Sequence, residues 1–218
     1  MMWSWRPLVR TRRNVVAVLA VLTAVVVAPR RDLIGLQAEP ERPVILAVGE
    51  STTAGFGVAR ELSYPAQLQK ALDERGFRYR VVNQGVSGST TGAALTRLTR
   101  GMGLLPKIVI IALGGNDGGG RVPIATTRAN LGKLISMYKR VGAEVFVADR
   151  RLPGGGDFVA ELAREHHAVL MPPLLTGVSG HPELLLSDGS HPNAEGYTII
   201  VGNLLQILEP HLTNTPIE

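Results

Sequence analysis

The chain has 218 residues, of which 45% are apolar and 19% charged, and it contains no cysteine. This length suits one domain, the composition excludes a disordered chain, and the missing thiols exclude disulfides, Cys-based metal sites and a cysteine nucleophile. The formal charge of +5 suggests a nucleic acid or an anionic membrane as partner only if it is spread over the fold.

The charge is instead confined to one end. Residues 1–31 hold six arginines (Arg6, Arg10, Arg12, Arg13, Arg30 and Arg31) and no Asp or Glu, which leaves 17 of the 23 basic residues against all 18 acidic ones. The body is therefore close to neutral, and no nucleic-acid partner is expected. Val15–Ala28 reads VVAVLAVLTAVVVA. A basic stretch followed by an apolar run of about 7–15 residues is the layout of a secretory signal, and the run is shorter than the roughly 20 residues of a spanning helix. Pro29 is a poor neighbour for cleavage after Ala28, so residues 1–31 are expected to be a signal peptide or an uncleaved membrane anchor. The Arg12-Arg13 pair also hints at twin-arginine export. The protein is expected outside the cytoplasm, periplasmic or extracellular, and it would touch the membrane only through this segment. Residues 32–42, with Gly35 and Pro40, read as a linker, 43–212 as the domain and 213–218 as a tail.

Val44 to Val48 is a continuous apolar run ending at Gly49, as in a strand covered on both faces. Ser63 and Pro65 fit a helix start, and the helix runs to about Arg75 with Gly76 as its stop. Arg78 to Val82 reads as a second strand, Thr91 to Arg100 as a short helix, and Lys107 to Leu113 as a third strand. A helix over Thr127 to Val141 is closed by Gly142, and Glu144 to Ala148 is a fourth strand. Asp157 opens a helix to about His167, followed by a fifth strand over Val169 to Met171. Asn193 to Glu209 forms a final helix before Pro210. This alternation predicts a single α/β domain: a five-stranded parallel sheet with helices on both faces. Such sheets carry their sites at the carboxyl ends of the strands.

Polar residues cluster at those ends. Ser51 follows the first strand in Gly49-Glu50-Ser51-Thr52-Thr53-Ala54-Gly55. Gly88 lies in the segment after the second strand, where a glycine lets a backbone N–H approach a ligand. Asn116 lies in Gly114-Gly115-Asn116-Asp117 after the third strand, placed to donate a side-chain hydrogen bond. Asp188 and His191 lie three residues apart before the last helix. At that spacing the carboxylate reaches the imidazole Nδ1–H and leaves Nε2 free as a base. Of the five histidines only His191 has this setting. His166 and His167 end a helix, His181 lies in a Pro/Gly loop and His211 near the end of the chain. Singly, each residue reads equally well as an ordinary turn or surface residue. Together they supply a nucleophile, oxyanion donors and an oriented base, which is the logic of acyl transfer.

These segments resemble the four blocks of the SGNH (GDSL) hydrolase superfamily, over residues 44–209. Within it the likeness is to the bacterial thioesterase I/lysophospholipase/arylesterase group, supported by Arg151-Leu152-Pro153 and His191-Pro192-Asn193. The resemblance implies the flavodoxin-like SGNH hydrolase fold, Ser51 as nucleophile, His191 as base and Asp188 as its orienting partner. It implies an oxyanion hole from the backbone N–H groups of Ser51 and Gly88 and the Asn116 side chain. It implies no metal and no cofactor. One position departs from the pattern: Glu50 stands where the family usually has Asp. The G-x-S-x-G elbow of α/β-hydrolases is absent.

The expected function is hydrolysis of carboxylic esters or thioesters of acyl chains, with a small-molecule or lipid acyl ester as partner. The alternatives are a carbohydrate acetylesterase or a non-catalytic domain that keeps the fold. A nucleotide-binding reading finds neither G-x-x-x-x-G-K-[ST] nor G-x-G-x-x-G in context. The residues that hold the substrate and the oligomeric state are not legible.

Overall fold

The computed structural model describes residues 42–213 apart from Gly119, Arg151 and Pro153. The expected signal or anchor over 1–31, most of the linker, the tail beyond Thr213, and two residues of the Arg151-Leu152-Pro153 segment lie outside the described residues. Among the described residues no helix is long and apolar enough to cross a membrane.

Five strands form one wholly parallel sheet: β1 (Val44–Gly49), β2 (Arg80–Gly85), β3 (Ile108–Ala112), β4 (Glu144–Ala148) and β5 (Val169–Met171). Their order across the sheet is β2-β1-β3-β4-β5. The helices are α1 (Ser51–Ala54), α2 (Tyr64–Glu74), α3 (Thr91–Leu95), α4 (Leu98–Met102), α5 (Ile124–Arg140), α6 (Phe158–Glu165) and α7 (Ala194–Leu208).

The pleat sends alternate side chains to opposite faces. Val44, Leu46, Val48, Val109, Ile111, Val145 and Val147 pack with Leu131, Leu134 and Ile135 of α5 and with Leu162 of α6. Ile45, Ala47, Ile108, Ile110 and Phe146 pack with Leu68 and Leu72 of α2 and with Ile200 and Leu204 of α7. Both faces are thus covered, which is why β1 and β3 are apolar at every position. The chain moves one way across the sheet from β1 to β2 and the other way from β3 onward. That reversal opens a crevice at the carboxyl ends of β1 and β3, where Ser51 and Gly114–Asp117 stand.

The element boundaries differ most from the sequence expectation in four places. β2 runs three residues further, through Asn83, Gln84 and Gly85. It is the edge strand, so its partly exposed residues need not be apolar. The helix expected over Thr91–Arg100 is broken at Thr96 and Arg97: the Thr96 hydroxyl donates to Ala93 O at 2.7 Å and Arg97 N–H donates to Ala94 O at 3.1 Å, which tightens the turn. α5 begins at Ile124 rather than Thr127, because the carbonyl of Pro123 accepts from Thr126 N–H and Thr127 N–H. A four-residue helix carries Ser51 where an irregular turn is expected.

Candidate active site

Ser51 is the first residue of α1, which is pressed onto the ends of β1 and β2. A Cβ on Gly85 would stand 2.2 Å from the Ala54 nitrogen, and one on Gly49 would stand 1.9 Å from Thr53 Oγ1. Only glycine at these strand ends allows so close an approach. Two tyrosines pin the turn from the α2–α7 side. Tyr197 OH donates to Thr52 O at 3.0 Å, and Tyr64 OH lies 3.3 Å from Thr53 Oγ1.

His191 reaches Ser51 from the loop before α7. Leu186 N–H donates to His191 O at 2.7 Å, Leu185 and Pro192 form an antiparallel bridge, and the Asn193 side chain caps α7 by accepting from Gly196 N–H at 3.0 Å. His191 Nε2 lies 2.8 Å from Ser51 Oγ, and Nδ1 lies 2.7 Å from Asp188 Oδ2. Asp188 Oδ1 accepts from Ser190 N–H at 2.9 Å and His191 N–H at 3.0 Å. These backbone bonds, from His191 first and Ser190 second, together with the imidazole, hold the Asp188 carboxyl down to about 2 from 3.8. With Nδ1–H donating to an ionised carboxylate, Nε2 is left as an acceptor for the Ser51 hydroxyl. The half-exposed Phe56 ring lies 4.6 Å from the imidazole, tilted by 42°.

A histidine beside a carboxylate is not by itself distinctive here. His181 pairs with Glu183 at 3.2 Å and His211 with Glu144 at 2.7 Å. The serine at the far nitrogen sets His191 apart from them.

Gly88, at a φ of +75° that favours glycine, lies beside Ser89. The Asn116 amide is tied to this segment by donating to Ser89 O at 3.1 Å. The structure thus brings the β2 and β3 loops together through Asn116. A finding beyond the sequence expectation is that the Asn116 amide also donates to the Glu50 carboxylate. Glu50 is buried, and burial pushes its carboxyl up, while Arg150 and the N–H groups of Asn116 and Gly115 pull it down.

Beside α1 lies a cleft of about 680 Å3, lined by Thr52, Leu113, Leu152 and Leu174, with Glu50 and Arg150 among its charged groups. No sequence signal marks these lining residues as a set, because they come from α1 and from three separate loops. The only pointer was that each follows a strand.

The GDSL-like lipase/acylhydrolase family matches residues 47–199. An arylesterase of Vibrio mimicus is 35% identical over 178 residues, spanning 77% of this chain and 89% of that protein. The thioesterase 1/protease 1/lysophospholipase L1 of Escherichia coli K12 is 28% identical over 179 residues, spanning 76% of this chain and 83% of that protein. A crystal structure of TesA superposes with a TM-score of 0.71 at 31% identity, covering 78% of this chain and 99% of that one. With the Ser51–His191–Asp188 geometry standing at the ends of the expected sheet, the chain belongs to the GDSL-like lipase/acylhydrolase family and is an ester-bond hydrolase of the SGNH type.

Proposed function

We propose that the protein hydrolyses acyl esters and thioesters through an acyl-enzyme on Ser51. His191 takes the hydroxyl proton as Oγ attacks the acyl carbonyl, and returns it to the leaving alcohol or thiol. Asp188 fixes the imidazole tautomer and stabilises the imidazolium. The backbone N–H groups of Ser51 and Gly88 and the amide of Asn116 receive the developing oxyanion. Water activated by His191 then releases the acid. The observation that carries this reading is the unbroken line of contacts from Asp188 through His191 to Ser51, at 2.7 and 2.8 Å.

The leucines of the neighbouring cleft favour an acyl chain over an acetylated sugar. The N-terminal layout supports export through residues 1–31. The test is a panel of p-nitrophenyl esters of rising chain length, acyl thioesters and acetylated sugars, run on wild type, Ser51→Ala and His191→Ala. Each substitution is expected to cost several orders of magnitude in kcat. A folded Ser51→Ala protein with wild-type activity refutes the scheme, as does a fluorophosphonate probe that labels another residue. A preference for acetylated sugars over every acyl ester overturns the substrate reading alone.

A further inference from the structure

Glu50 precedes Ser51 in the chain, but its carboxylate reaches across to the β3 loop. Oε1 accepts from Gly115 N–H at 3.2 Å, and Oε2 accepts from Asn116 N–H at 3.1 Å and from the Asn116 side-chain amide. That amide has two hydrogens. One goes to Glu50 and the other to Ser89 O, beside Gly88. Arg150 Nη2 stands 3.8 Å from Glu50 Oε1. Arg150 lies so close over Gly115 that a Cβ there would meet Nη2 at 2.0 Å.

We propose that Glu50, braced by Arg150, is a positioning residue that aims the Asn116 amide at the acyl oxygen. This rests on the reading of Ser51 and Asn116 given above. With both hydrogens assigned in the resting protein, the developing oxyanion draws the one held by Ser89 O, while Glu50 keeps the other and so holds the amide in line. Arg150 keeps the carboxylate turned toward the β3 loop as the amide engages the oxyanion. The amide-to-oxyanion bond that Glu50 aims is made only in the transition state, which places the effect of Glu50 on kcat rather than on substrate binding.

The β3 loop does not depend on Glu50 to stay folded. Asp117 anchors the same loop independently, accepting from Thr91 N–H at 2.9 Å and from the Thr91 and Thr127 hydroxyls. What Glu50 adds is the direction of the amide. The charged groups around it are Arg150 and Asp149 at the end of β4 and Asp117 in the β3 loop. Of these only Arg150 offsets a buried anion.

The experiment compares Glu50→Gln, Glu50→Asp and Asn116→Ala, singly and with Glu50→Gln combined with Asn116→Ala, on one p-nitrophenyl ester. A glutamine presents its own NH2 to groups that need acceptors. Glu50→Gln is expected to lower kcat about 10- to 100-fold, less than deletion of an oxyanion donor. Its KM should stay within about twofold, as for an interaction made only in the transition state. Glu50→Asp, which keeps the anion, should recover most of the loss. In the Asn116→Ala background Glu50→Gln should cost nothing further, because the two act as a unit. Wild-type kcat in Glu50→Gln, additive losses in the double variant, or no recovery in Glu50→Asp overturns the proposal. Ser51→Ala in the same assay separates the two readings: an inactive Ser51→Ala leaves the serine mechanism standing however Glu50→Gln behaves.

Discussion

Asp117→Ala tests how the loops that carry Gly88 and Asn116, the proposed oxyanion donors, are held. Asp117, Thr91 and Thr127 are all buried, at 1% exposure or less. Removing the carboxylate strips an acceptor from three buried donors: Thr91 N–H, the Thr91 hydroxyl and the Thr127 hydroxyl. A buried donor without a partner costs about 1–3 kcal/mol. The hydroxyls can rotate toward other acceptors, but the backbone N–H cannot. The expected loss is therefore about 3–5 kcal/mol, at the top of the range for single substitutions. Asp117→Asn keeps one acceptor oxygen and should lose about 1–2 kcal/mol. Urea unfolding measures both as a shift in midpoint at constant m. Because Thr91 lies three residues past Gly88 and Asp117 follows Asn116, kcat should fall in the same order. An Asp117→Ala protein that loses less than about 1 kcal/mol refutes the reasoning.

Asn116→Ala is expected to lower kcat by about 10²–10³ with little change in KM, as loss of an oxyanion donor does. A loss confined to KM would assign Asn116 to substrate binding instead. Asp188 gives a pH prediction. Its folded value of about 2 lies below the ordinary 3.8, so its contribution to stability is complete above pH 3.8 and fades as the pH falls toward 2. Denaturation of wild type and Asp188→Asn across acid pH should show the stability gap closing only within that window. A gap already closed near neutral pH would show that the hydrogen bonds from His191 and Ser190 contribute nothing.

The sequence by itself determined the architecture and singled out Ser51, Asp188 and His191. Both follow from signals that are local along the chain. A strand covered on both faces must be apolar at every position, as Ile108–Ala112 is, and an α/β alternation leaves few sheet topologies open. Asp188 and His191 were legible because three residues of turn place one beside the other. The edge strand runs past its apolar residues, because exposed positions such as Asn83 carry no apolar signal. The helix break at Thr96 came from a side-chain hydrogen bond that periodicity does not record.

Only the tertiary structure decided what joins distant segments. Ser51 and His191 are 140 residues apart, Glu50 and Asn116 are 66, and Thr91 and Asp117 are 26. Nothing in the chemistry of Glu50 announces that its carboxylate turns from its own strand to the β3 loop. That follows from the β2-β1-β3 order, which sets the ends of β1 and β3 side by side. Hydrogen bonds depend on distance in space, and the register of a parallel sheet, not separation in sequence, sets that distance.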